Sequence, residues 1–200
     1  MKKIVYYIIT IFSITNYCYS QNPIIDLNQR DGTRLNGAYY KDVNNVLNPF
    51  EGTWLYVNGS TSLKIKLLKK ENESNGKYSE DIIIGGYEYI ENGILKANTL
   101  PESFPSSTFS SRYFINGNSF LYNNSYPPCN TCTPGEKRLH ISLRDGGYYR
   151  NLILKREIIN GQVQLKATLQ PLTTVYYRYD EPEPEINLAI PHGEYTLIKQ

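Results

Sequence analysis

Six Asn-Gly or Asp-Gly pairs punctuate the chain between residues 50 and 170: Asn58-Gly59, Asn75-Gly76, Asn92-Gly93, Asn116-Gly117, Asp145-Gly146 and Asn160-Gly161. Such pairs accept the positive φ angles that tight hairpin turns require, so each one predicts a strand folding back on its predecessor. A chain turned this often reads as an antiparallel β meander.

The segments between the pairs behave accordingly. Leu63, Ile65 and Leu67 alternate with Lys64 and Lys66, and Val163, Leu165, Ala167 and Leu169 alternate with Gln164, Lys166 and Thr168. This is the period-two pattern of a sheet with one wet face. Residues 82–84, 113–115 and 152–154 are rich in β-formers, and Tyr195, Leu197 and Lys199 alternate with Thr196 and Ile198 in a closing strand. No long stretch has the 3.6-residue period. The sequence therefore predicts eight to ten strands and at most a short helical turn. Gly85-Gly86, with no helix after it to cradle a phosphate, reads as a bulge or kink of the sort barrels use to close. Segments 100–111 and 180–184, interrupted by prolines, read as extended loops.

The first 20 residues have the layout of a cleavable secretory signal: Lys2 and Lys3, an apolar run over 4–14, then Cys18-Tyr19-Ser20 with small residues at the cleavage positions. The apolar run falls short of the roughly 18 residues that a membrane span needs. Lipidation at Cys18 is the alternative processing. Loss of Lys2 and Lys3 with the leader leaves 19 basic against 19 acidic residues. That neutral balance argues against a nucleic-acid partner, whose recognition rests on a basic field. The remaining 180 residues suit one domain that buries roughly 70% of its unfolded surface. The expected organisation is a signal peptide over 1–20, an Asn-rich arm over 21–49 packing across one barrel end, and a barrel over 50–200. The mature protein is expected to be a soluble monomer, secreted or held in the periplasm or cell envelope.

Candidate chemistry is sparse. Cys129-Asn130-Thr131-Cys132 is flanked by Pro127-Pro128 and Thr133-Pro134-Gly135, a stiff loop rather than the helix N-terminus that a redox pair uses to lower its thiol pKa. A zinc site needs four ligands, and only His140 and His192 could complete one. A local disulfide in a hairpin loop is the favoured reading over redox or metal work, stabilising by about 2 kcal/mol at most. His140 and His192 accompany no serine or cysteine motif and read as loop or barrel-face residues. Glu80 and Asp81 are adjacent on a strand and point to opposite faces, so they cannot flank one bond. No catalytic residue, metal or cofactor is expected, and the chain is not read as an enzyme.

Nineteen tyrosines stand out. Tyr87 and Tyr89 share one strand face, and Tyr148-Tyr149 and Tyr176-Tyr177 each place one ring inward. Tyr87, Tyr89, Tyr149 and Tyr177 are thus candidates to line a ligand cavity, because tyrosine offers a flat amphipathic surface. The same residues are also good strand formers with no further role.

The run Phe50-Glu51-Gly52-Thr53-Trp54 resembles the Gly-x-Trp opening of lipocalin-like barrels. There the glycine (Gly52) admits a tight turn into the first strand and the indole (Trp54) plugs the closed end. The resemblance implies an all-β antiparallel meander closing into a lipocalin-like β-barrel of about 8–10 strands. It also implies an arginine of the last strands packed over the Trp, with Arg178 the candidate and Arg150 the runner-up. Residues 37–42, Asn44-Asn45, Leu47 and the 50–54 run are in turn similar to a group of small secreted proteins of unknown function from flavobacteria-type bacteria. That resemblance implies a barrel outside the cytoplasm and no particular activity.

Two functions follow as expectations. One is a binding module whose open end, fringed by loops 100–111 and 129–137, holds a small apolar or aromatic ligand. The other is a structural or protein-interaction component of the cell envelope with a filled barrel.

Overall fold

The computed structural model describes residues 22–29, 32–105, 107–172 and 185–200. The leader, Tyr177, Arg178 and the 180–184 loop lie outside the described residues. The strands are β1 (Ile24–Asp26), β2 (Tyr39–Lys41), β3 (Gly52–Asn58), β4 (Thr61–Ser74), β5 (Ser79–Glu91), β6 (Ile94–Asn98), β7 (Ile115–Leu121), β8 (Arg138–Asp145), β9 (Tyr148–Ile159), β10 (Gln162–Leu169) and β11 (Gly193–Lys199). Three single-turn 3-10 segments are the helical elements among the described residues: Leu27–Gln29, Asn48–Phe50 and Ser110–Arg112.

Eight strands close a ring in the order β5-β4-β3-β11-β10-β9-β8-β7, and β7 pairs back onto β5 through Ile83–Gly117 and Gly85–Ile115. Every pairing within the ring is antiparallel. Strand β6 adds to β5 outside the ring. The arm contributes more than a lead-in, because β1 and β2 extend the far end of β5 as a short parallel flap.

Alternation decides which side chains fill the ring. Leu63, Ile65 and Leu67 of β4, Ile83, Tyr87 and Tyr89 of β5, Leu139, Ile141 and Leu143 of β8, and Leu165, Ala167 and Leu169 of β10 all point into one core, joined by Leu27, Ala38, Tyr40 and Leu47 of the arm. Ile82 and Ile84 face the other way and meet Tyr113 and Phe104. Loop 100–111 therefore lies along the outer wall of β4 and β5. Lys70 Nζ donates to Thr108 O at 2.5 Å, and Ser110 N donates to Glu73 Oε1 at 2.5 Å.

Most of the turn pairs do what their chemistry predicts. Asn92-Gly93 and Asn160-Gly161 are two-residue loops with left-handed φ at both positions. Two pairs differ. Asn116-Gly117 is no turn: it sits inside β7 at a bulge, where Gly117 (φ 148°) lies against Ile141 of β8. At Asp145-Gly146 the loop is shifted by one residue. Gly146 and Gly147 (φ 58° and 87°) make the turn, while Asp145 stays in the strand. Gly85-Gly86 is not a bulge either, since β4 and β5 keep register through it. Glycine is needed there because a Cβ would collide with the carbonyl oxygens of Lys66 and Thr99.

Strand direction sorts the two ends. Trp54, the Asn48–Phe50 turn, loop 122–137 and hairpin 159–162 share one end. Hairpins 58–61, 91–94 and 145–148 and residues 170–172 and 185–192 share the other, called the mouth below. Trp54 is fully buried and its Nε1 donates to Phe50 O at 2.9 Å. The cation over the indole is Lys199 of β11, its Nζ 5.3 Å from the ring centroid. Arg150 cannot take that place, because it lies at the start of β9, at the opposite end of the ring from Trp54.

A buried polar knot ties the arm to the barrel. Asp81 accepts from Tyr39 Oη at 2.5 Å, Asn72 N at 3.0 Å and Asp42 N at 2.9 Å. Asp42 in turn accepts from Val46 N and Leu47 N and faces Lys69 Nζ at 3.3 Å. Burial and the Asp81 carboxylate push the Tyr39 phenol well above its ordinary pKa.

Candidate binding cleft at the barrel mouth

The mouth is built around Asp145. By leaving the turn to Gly146-Gly147, the chain holds Asp145 at the end of β8 with its side chain directed inward and 1% exposed. Its Oδ1 accepts from Ala189 N at 2.9 Å and Tyr87 Oη at 3.3 Å. Its Oδ2 accepts from Ile190 N at 3.1 Å and Arg150 Nη1 at 3.0 Å. One carboxylate thus pins the strap 187–192 across the mouth, where Ile190 drops into the core. Arg150 ties the same strap to the end of β10: Nη1 donates to Ile190 O at 2.6 Å, and Nε donates to Gln170 O at 3.2 Å.

Aromatic side chains lie under the strap. Tyr195 donates to Pro191 O at 2.7 Å and meets Tyr56 edge to face at 5.1 Å. Burial, helped by Tyr89, pushes the Tyr195 phenol up to about 12. Burial and the Asp145 carboxylate push Tyr87 higher. At neutral pH these phenols are protonated and available as hydrogen-bond donors.

Beside the strap is a cleft of about 450 Å³ lined by Glu91, Lys96, Arg150, Pro171, Leu172 and residues 187–192. Its walls combine apolar Leu172, Leu188 and Pro191 with polar Lys96, His192 and Arg150. Lys96 faces Glu91 at 3.5 Å near the rim. Arg150 Nη2 is buried and finds no acceptor among the described residues.

The predicted site residues divide sharply. Tyr87 and Tyr89 do point inward, 1% and 2% exposed, but they pack the core and neither lines the mouth cleft. Tyr149 is a correction: at 60% exposed it lies on the outer wall, because the inward positions of β9 are Arg150, Leu152 and Leu154. Tyr177 and Arg178 lie outside the described residues. The loops expected to fringe the open end do not. Loop 100–111 covers an outer wall, and loop 129–137 leads into β8 from the Trp54 end. His192 lines the mouth, whereas His140 is on the wall with Nε2 3.0 Å from Asn151 Oδ1.

Cys129 and Cys132 are joined in a disulfide. Lys155 Nζ donates to the carbonyl of Thr131, inside that ring, at 3.0 Å and so fastens the loop to the outer wall. A smaller cleft of about 230 Å³ lies there, lined in part by Pro128, Arg138, Ile153 and Lys155. No helix among the described residues is long and apolar enough to cross a membrane.

Asp145, Lys96 and the strap were not singled out by the sequence reading. The signal for Asp145 was the doubled glycine after it: Gly146-Gly147 can make the whole turn, which frees the Asp for the interior. The strap carries no local signature.

No curated protein and no solved structure matches this chain. The model of one family, described as "Family of unknown function (DUF6705)", matches residues 1–200, and the protein with this mouth belongs to that family.

Proposed function

We propose that this protein is an exported, lipocalin-like binding module that takes a small molecule at the barrel mouth and performs no chemistry on it. The observation that carries the reading is the 450 Å³ cleft between the strap and the β5–β6 hairpin, in which apolar walls surround a few polar groups. Its volume lies in the range of roughly 300–1,000 Å³ typical of small-molecule sites. The ring below it is filled by Tyr87, Tyr89, Tyr195 and their aliphatic neighbours, which favours the mouth over the interior as the place for a ligand. The leader-like first 20 residues and the Cys129–Cys132 disulfide support a location in an oxidising compartment outside the cytoplasm.

A second reading, an envelope protein whose partner is another protein, draws on a different observation. Tyr126 is 85% exposed and Tyr122 46% exposed beside the disulfide loop, and aromatic side chains of this kind are enriched at interfaces.

Native mass spectrometry of the protein purified from its own host separates the two. A binding module carries a small-molecule adduct that is lost when Leu188→Trp fills the cleft. Bare protein that co-purifies with a stoichiometric polypeptide instead overturns the small-molecule reading.

A further inference from the structure

We propose that the mouth cleft selects a small carboxylate with an apolar body, and that the recognising group is Arg150 Nη2; this rests on the reading of the cleft as a ligand site. The guanidinium has five N–H donors. The three on Nε and Nη1 are directed at Gln170 O, Asp145 Oδ2 and Ile190 O. The two on Nη2 have no acceptor among the described residues, although the side chain is shut off from solvent. A buried charged donor left unmet is costly, and an acceptor brought to it gains a charge-assisted bond.

Asp145 cannot supply that acceptor by turning, because its two oxygens already receive Ala189 N, Ile190 N and Arg150 Nη1, with the Tyr87 hydroxyl, shared with Arg144 O, 3.3 Å away. The other polar side chains of the cleft are Glu91, Lys96, Asn187 and His192. Lys96 adds a second positive charge, paired at 3.5 Å with partly exposed Glu91, while His192 adds ring nitrogens. The unmet Nη2 donors, with Lys96 close by in the same lining, fit a ligand that brings oxygen acceptors and negative charge. Leu172, Leu188 and Pro191 set the rest of the ligand as hydrocarbon or aromatic ring. The planar guanidinium matches a carboxylate in geometry as well as charge.

The test compares two probes of one shape, 1-naphthoate and the uncharged 1-naphthamide, by isothermal titration against the mature chain. The naphthoate is expected to bind about tenfold or more tightly than the amide. Arg150→Lys keeps a positive charge opposite Asp145 but removes Nη2, and it is expected to bring the two probes within about threefold of each other. Should that variant fail to fold, Lys96→Gln, at an exposed position, carries the test: it is expected to weaken naphthoate several-fold more than it weakens naphthamide. Equal affinity of the two probes, with both blocked by Leu188→Trp, overturns the carboxylate assignment and leaves the cleft as a ligand site. No saturable binding of either probe overturns the cleft itself.

Discussion

The Asp145 carboxylate and the Arg150 guanidinium meet at 3.0 Å with side-chain exposures of 1% and 0%, and both reach the strap that crosses the barrel mouth. Removing one member of such a pair leaves the other charge buried and unmatched, which costs about 3–5 kcal/mol. Arg150→Met is expected to lower the unfolding free energy by that amount in urea titrations. The double variant Asp145→Asn, Arg150→Met is expected to lose less than the sum of the single changes, since each removes what the other depends on. Additive losses contradict the coupling.

Trp54 is the only tryptophan, and it is fully buried with its indole N–H bonded to Phe50 O. Its fluorescence therefore reports the closed end alone. Emission is expected to lie to the blue of free tryptophan and to resist iodide quenching until the barrel unfolds. Trp54→Ala is expected to cost about 3–5 kcal/mol through the cavity left under the arm.

Two mouth tyrosines make the fold sensitive to alkali. Unfolded tyrosine titrates near 10, whereas burial holds Tyr195 at about 12 and, with the Asp145 carboxylate, holds Tyr87 above its ordinary value. Above pH 10 the unfolded chain has released these protons while the folded barrel keeps them, so stability falls as pH rises. The slope is about 1.4 kcal/mol per pH unit for each residue. Denaturation curves at pH 9, 10 and 11 are expected to show this fall, to which the raised phenols of Tyr39 and Tyr89 add, and Tyr87→Phe is expected to remove only one residue's share of it. Stability that stays level to pH 11 contradicts the assignment.

The disulfide is expected to matter locally. A ring closed by residues only three apart constrains the unfolded chain weakly, by about 2 kcal/mol at most, and it lies on the outer wall. Reduction with dithiothreitol is expected to shift the urea midpoint modestly and leave far-ultraviolet circular dichroism and Trp54 emission unchanged. Loss of the barrel on reduction contradicts this.

What was legible in the sequence follows from locality. The Asn92-Gly93 and Asn160-Gly161 turns, the alternation of Leu63, Ile65 and Leu67, the Trp54 plug and the Cys129–Cys132 pairing each depend on residues a few positions apart. Asn116-Gly117 has the same local chemistry, but its partner strand β8 absorbs it as a bulge through the contact with Ile141. Tyr149 was misplaced by one pleat: the Tyr148-Tyr149 pair does not say which ring faces in, and Arg150 takes the inward position for its bond to Asp145. The cation over Trp54 came from Lys199 at the end of the last strand, fixed by the register of β11 against β3. The mouth was the least visible part. Its lining joins residues 91 and 96 to 150, 171–172 and 187–192, which only ring closure brings together.

Amide chemical-shift mapping of the protein, titrated with 1-naphthoate, bears most directly on the mouth as the working end of this barrel. Perturbations are expected to gather on Glu91, Lys96, Ala189, Ile190 and His192 and to leave Trp54 and the 129–132 loop still. Perturbations confined to the disulfide loop and the outer wall, with the strap unmoved, would contradict the assignment.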